Sequence, residues 1–209
     1  MLARFEVKNY RSFKSKLSID FTNTRDYQFN SDCITDGCIS KMMIYGRNGV
    51  GKTNLGRALL DIRFTLMNVT GLINYYRDVA YINGNSLGAE AEFAYTFKFN
   101  DDIVEYTYRK SNLLFLTYER FAVNGDIIFA YDHVKRKFTR NSLAEHGYGT
   151  LDIQKYNADA VTNVDNNGRV AFLSWIYSNS SISEDSLIAK VMYFAATFMF
   201  FDTLHSNSR

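Results

Sequence analysis

The chain has 209 residues, 46% hydrophobic and 22% charged, with a formal net charge of +2. That length suits one domain, or one domain with an inserted lobe, and can bury a sizeable core. The near-neutral balance gives no general argument for nucleic acid or a membrane surface, and leaves only local basic patches to consider.

The N-terminus, M-L-A-R-F-E-V-K, has no apolar h-region, so it does not read as a secretory signal. The longest apolar stretch near the end, residues 191–201, is too short to span a bilayer. Cys33 and Cys38 lack a second ligand pair at zinc-site spacing and read as reduced thiols. These features predict a cytoplasmic protein with no membrane partner.

Residues 2–9 alternate apolar and polar (Leu2, Phe5, Val7) and lead into N-Y-R-S-F at residues 9–13. Leu17, Ile19 and Phe21 alternate again, which predicts a pair of strands joined by a short basic connection. Residues 22–40 are rich in Asn, Thr, Asp and Gly and read as a loop.

Residues 41–54 carry the strongest signal, K-M-M-I-Y-G-R-N-G-V-G-K-T-N. Gly46, Gly51, Lys52 and Thr53 match the phosphate-binding loop G-x-x-x-x-G-K-[ST]. The apolar run Met42, Met43, Ile44, Tyr45 predicts a buried strand before it. Leu55, Leu59, Ile62, Leu66 and Val69 predict a helix after it. Strand, glycine loop and helix is the order the chemistry needs. Loop N–H groups and the positive end of the helix then face the phosphates. Gly46, Arg47, Asn48, Gly49, Val50, Gly51, Lys52, Thr53 and Asn54 are therefore the expected nucleotide-binding residues. Lys52 would reach the β- and γ-phosphates, and the Thr53 hydroxyl would ligate Mg²⁺.

Residues 70–90 read as a partly helical connector ending in a loop. Phe93, Tyr95, Phe97 and Phe99 then alternate strictly, as do Val104, Tyr106 and Tyr108. Leu114, Leu116, Tyr118 and Phe121 follow, then Asn124–Gly125, then Ile127–Phe129. Asn-Gly between apolar runs signals a hairpin. Residues 91–140 thus predict an antiparallel meander of four strands, closed by the basic run 133–140 as strand or loop. Residues 141–169 are polar and read as a long surface loop. Residues 169–177 and 183–204 read as helices, the second starting at Ser183-x-x-Ser186.

The strand ending in N-Y-R-S-F, followed by G-R-N-G-V-G-K-T-N-L, resembles the ABC-type ATPases of the RecF, SMC and OLD group. The meander with E-R-F-A-V-N-G-D-I-I-F is most similar to the bacterial AAA-labelled ATPases of abortive-infection and other anti-phage systems. The resemblance implies an α/β fold: a P-loop NTPase, ABC-type N-terminal lobe, with an inserted antiparallel β-meander and C-terminal helices. It divides the chain into a nucleotide-binding core with its strand pair (1–90), a β-lobe (91–140) and a loop and helical segment (141–209).

By the same resemblance the cofactors are ATP and Mg²⁺, and Arg11 approaches the nucleotide. The family's metal-touching glutamine has one candidate after the loop, Gln154. A Walker B segment is not found. Residues 198–202, F-M-F-F-D, imitate it, but Thr203 stands where the acid belongs, and Ile188, Val191, Phe194, Phe198 and Phe201 have the spacing of a packed helix. No serine-glycine signature is present. The chain thus resembles the N-terminal part of a longer ATPase that assembles as a homodimer or higher oligomer through its ATP sites and controls an effector or toxin protein. Two alternatives are a DNA-repair ATPase, with Lys14, Lys16, Lys135, Arg136, Lys137, Arg140 and Arg11 lining a nucleic-acid surface, and a non-catalytic interaction module that ATP stabilises.

Overall fold

In the computed structural model, residues 1–25, 30–67, 80–86, 88–148, 151–162 and 170–198 are described. The protein is mixed α/β, built on one antiparallel sheet of seven strands in the order β2-β1-β5-β6-β7-β8-β9. The strands are β1 (Leu2–Lys8), β2 (Leu17–Asp20), β5 (Ala91–Phe99), β6 (Asp102–Lys110), β7 (Leu116–Val123), β8 (Asp126–Asp132) and β9 (Lys137–Asn141). A separate two-residue hairpin is formed by β3 (Ile34–Thr35) and β4 (Cys38–Ile39).

The meander forms where the period-2 pattern places it, with a fifth strand, β9, taken from the basic run. Its turns follow from local chemistry. At the β7–β8 hairpin Asn124 (φ 51°) and Gly125 (φ 87°) are both left-handed, as a type I′ turn requires. The meander is not set apart from the N-terminal strand pair. β1 pairs with β5, Phe5 opposite Tyr95 and Val7 opposite Phe93, so both belong to one sheet.

One face of this sheet is the core. Phe5, Val7, Phe93, Tyr95, Phe97, Tyr106, Tyr108, Phe121 and Phe129 are buried there. Among the described residues the helices are, in chain order, α1 (Lys52–Met67), α2 (Ile153–Thr162), α3 (Phe172–Asn179) and α4 (Leu187–Thr197). α1 buries Leu55, Ala58, Ile62, Thr65 and Leu66, a stripe at helical spacing. The small Ala58 lets the sheet approach closely, and the Tyr95 hydroxyl donates to its carbonyl at 2.9 Å. The Arg63 guanidinium ties α1 to the end of α4 through the carbonyls of Ala196 and Phe198. α2 and α3 pack at the β8 end, where Phe172 meets Phe129 edge-on at 4.9 Å and Tyr156 meets Tyr131 at 5.4 Å.

Three expectations change. Residues 42–45 are not a strand: they make no backbone hydrogen bonds with described residues, and Met43 and Tyr45 are 84% and 88% exposed. They are not taken up by the sheet, which ends at β2 on one side and at β9 on the other. Residues 141–169 are not one loop. Asp152 accepts from the N–H groups of Gln154 and Lys155 at 3.0 and 3.1 Å, and this cap starts α2. The last helix begins later than Ser183, because the Ser186 hydroxyl caps it by accepting from Ala189 N–H at 3.1 Å. The connector at 68–79 and the tail from 199 onward, including Phe201, lie outside the described residues.

Candidate nucleotide site

The glycine loop runs directly into α1. Gly51 (φ +101°) turns the chain, and its carbonyl accepts the first helical bond from Leu55 N–H at 2.9 Å. Lys52, Thr53 and Asn54 form the first turn, where N–H groups have no acceptor inside the helix. Those donors and the helix dipole make a positive, donor-rich end.

The Lys52 ammonium folds back over the loop. It donates to the carbonyl of Gly46 at 2.6 Å and to that of Arg47 at 2.7 Å. The loop therefore closes around the very cation that the sequence assigns to phosphate. Residues 46–50 are all exposed, so the ring is open to solvent. Gly49 (φ +81°) is a second left-handed position that a side chain would strain. Thr53 is exposed on the same turn. Among the described residues no group of three or more His, Cys, Asp or Glu side chains is gathered for a metal.

The N-Y-R-S-F motif comes to the same place. It forms a tight turn after β1, with Tyr10 N–H to Phe13 carbonyl at 3.0 Å and Phe13 N–H to Tyr10 carbonyl at 2.8 Å. Asn9 (φ 56°) and Arg11 (φ 47°) are both left-handed, an unusual conformation for a long side chain such as arginine. The turn's Ser12 hydroxyl accepts from Asn54 Nδ2 at 3.0 Å. Arg11 thus stands one residue from the loop contact, but its Nε donates to the Tyr10 hydroxyl at 3.0 Å.

Other candidate residues are not brought here. Gln154 is exposed in the first turn of α2, where its N–H donates to Asp152. The basic residues divide between the sheet's two edges. Lys137 and Arg140 lie on β9, while Lys14 and Lys16 flank β2. Six inter-strand spacings separate β2 from β9, about 29 Å. Lys16 is also paired with Glu6 and Lys135 with Asp132. These cations do not form one patch. Phe198 ends α4 in an extended conformation, and residues 199–202 of the Walker B imitation are outside the described residues.

Sequence reading missed the buried charges behind the site. Asp61, on the inner face of α1, accepts from Lys110 at 2.9 Å, from the Tyr108 hydroxyl at 3.0 Å and from the Tyr81 hydroxyl at 2.8 Å. Burial pushes the Lys110 amine down from its ordinary value, and the Asp61 charge opposes that shift. The available signal was parity: residue 110 continues the inward series 104, 106, 108.

No family model matches this sequence, and no curated protein does. No described helix is long and apolar enough to cross a membrane.

Proposed function

We propose that residues 46–54 bind Mg-ATP. The observation that carries the reading is the Lys52 ammonium, held inside its own glycine loop on two carbonyl oxygens, at the donor-rich start of α1. Phosphate oxygens would replace those carbonyls. Lys52 would hold the β- and γ-phosphates, loop N–H groups would cradle them, and Thr53 would ligate Mg²⁺. Arg11, in the turn beside the loop, is the further candidate for a nucleotide contact.

The resemblance to RecF, SMC and OLD ATPases extends the proposal. ATP binding would drive two or more copies together across their loops, and hydrolysis would control an effector in a defence system. Hydrolysis needs an acid to activate water, and the first turn of α1 carries none.

A thermal-shift measurement tests nucleotide binding. A ligand at a hundred times its dissociation constant stabilises the fold by about 2.7 kcal/mol. Mg-ATP should raise the melting temperature of the wild-type chain and leave Lys52→Ala unchanged. Equal shifts in both proteins would contradict the assignment.

A further inference from the structure

We propose that Ser12 is a positioning residue for the phosphate loop, acting through Asn54 and Gly51. This rests on the nucleotide reading above and adds what sets the loop's shape.

Two observations place Ser12 there. Its hydroxyl takes the Asn54 Nδ2 hydrogen at 3.0 Å, which ties it to the first turn of α1. It also lies against Gly51: a Cβ on that glycine would come within 2.9 Å of Ser12 Oγ and 3.5 Å of the Phe13 ring. Gly51 is thus held between its left-handed backbone and a neighbouring turn. Any side chain on Gly51 would push on residues 12 and 13.

That turn is itself braced. Arg11 N–H donates to the Tyr81 carbonyl at 3.1 Å, and Asn83 N–H to the Asn9 carbonyl at 3.2 Å. The Asn83 side-chain amide donates to the Arg11 carbonyl, and Asn9 Nδ2 to the Glu90 carbonyl at 3.0 Å. These bonds hold Asn9 and Arg11 in left-handed conformations that cost energy on their own. A strained turn kept in place by four hydrogen bonds to three residues, and set against the glycine loop, acts as a rigid backstop. It fixes where the N–H groups of residues 51–54 point, and so preorganises the loop for an anion.

The test is a calorimetric titration of Mg-ATP into the wild-type chain, Ser12→Ala, Asn54→Ala, the double variant, Ser12→Thr and Lys52→Ala, with a melting curve for each. Each single alanine should weaken binding between about two- and tenfold, the worth of one hydrogen bond. The double variant should be no worse than the weaker single, because both remove the same bond. Ser12→Thr should bind like wild type, and melting should not change. Binding by wild type that Lys52→Ala abolishes but both alanine variants keep would overturn the positioning role alone. Additive losses, or losses that follow a lowered melting temperature, would overturn it too. If no protein binds while all melt alike, the nucleotide reading fails and takes this role with it.

Discussion

Lys110 donates to Asp61 at 2.9 Å, and each side chain is only 2% exposed. The pair joins α1 to β6 in the middle of the sheet. Asp61 is nine residues past Lys52, about 14 Å along the helix axis. Tyr81, Tyr108 and Thr65 fill the remaining acceptor positions of the carboxylate. A buried pair so satisfied is weak evidence of stability, but breaking it leaves a naked charge.

Lys110→Met or Asp61→Asn should each cost about 3–5 kcal/mol in urea unfolding. The joint variant Asp61→Asn with Lys110→Met should cost less than the sum of its singles, because no unpaired charge remains. Additive costs would show that the two residues act independently.

The same region sets the response to alkali. Burial pushes the phenols of Tyr81, Tyr95, Tyr106 and Tyr108 well above their ordinary value, and Tyr10 likewise. A folded-state pKa raised above the unfolded one gives stability that is complete below about pH 10 and lost as pH rises further. Lys110 works the other way: its depressed folded pKa favours the fold as pH climbs toward its unfolded value. Five phenols outweigh one amine. Stability should therefore fall above about pH 10, with the share of tyrosinate absorbance that belongs to these five phenols appearing together with loss of circular dichroism. Tyrosinate absorbance complete for all 15 tyrosines before the dichroism changes would contradict the burial of these rings.

Glu119 holds a second buried network, at the other end of the sheet. Its carboxylate accepts from Phe172 N–H at 2.7 Å and Leu173 N–H at 2.9 Å, the first turn of α3. It also accepts from the Tyr106 hydroxyl at 3.0 Å and lies 3.1 Å from His133 Nε2. Glu119→Gln turns an amide donor toward those N–H groups. It should cost about 2–3 kcal/mol in thermal unfolding and speed amide exchange at Phe172 and Leu173. Unchanged exchange there would mean that α3 starts without its carboxylate cap.

The exposed run 42–45 makes a local prediction. Its amides have no hydrogen-bond partners among the described residues and should exchange at near-random-coil rates, while those of β5, β6 and β7 are protected. Protection at 42–45 equal to that of β6 would show that the run is paired in solution. Lys substitution at Met43 and Tyr45 should also reduce any self-association, which light scattering can follow.

Local rules were enough for the meander. Phe93, Tyr95, Phe97, Val104, Tyr106 and Tyr108 alternate inward, and Asn124–Gly125 makes the only kind of two-residue turn its dihedrals allow. The α1 stripe and the glycine loop were equally legible. What failed were partners distant in sequence. An apolar quartet such as residues 42–45 shows that a strand is possible, but not whether a neighbour exists. Period-2 patterning marks β1 and β5 as strands without saying that they pair. Charges hide in the same way: Lys110 and Glu119 occupy inward positions that a hydrophobic pattern reads as errors until Asp61 and the start of α3 are seen opposite them. α2 was missed because its capping signal is a single aspartate, Asp152, in an otherwise polar stretch.

Calorimetric titration of Mg-ATP into the wild-type chain and Lys52→Ala is the most direct test of the central claim. Among the described residues the Lys52 ammonium hydrogen-bonds only to carbonyls of its own loop, so its removal should not weaken the fold. Saturable binding by the wild type, lost in a Lys52→Ala protein with an unchanged melting temperature, is the expected result. Equal affinity in the two proteins, or no binding by a well-folded wild type, would contradict it.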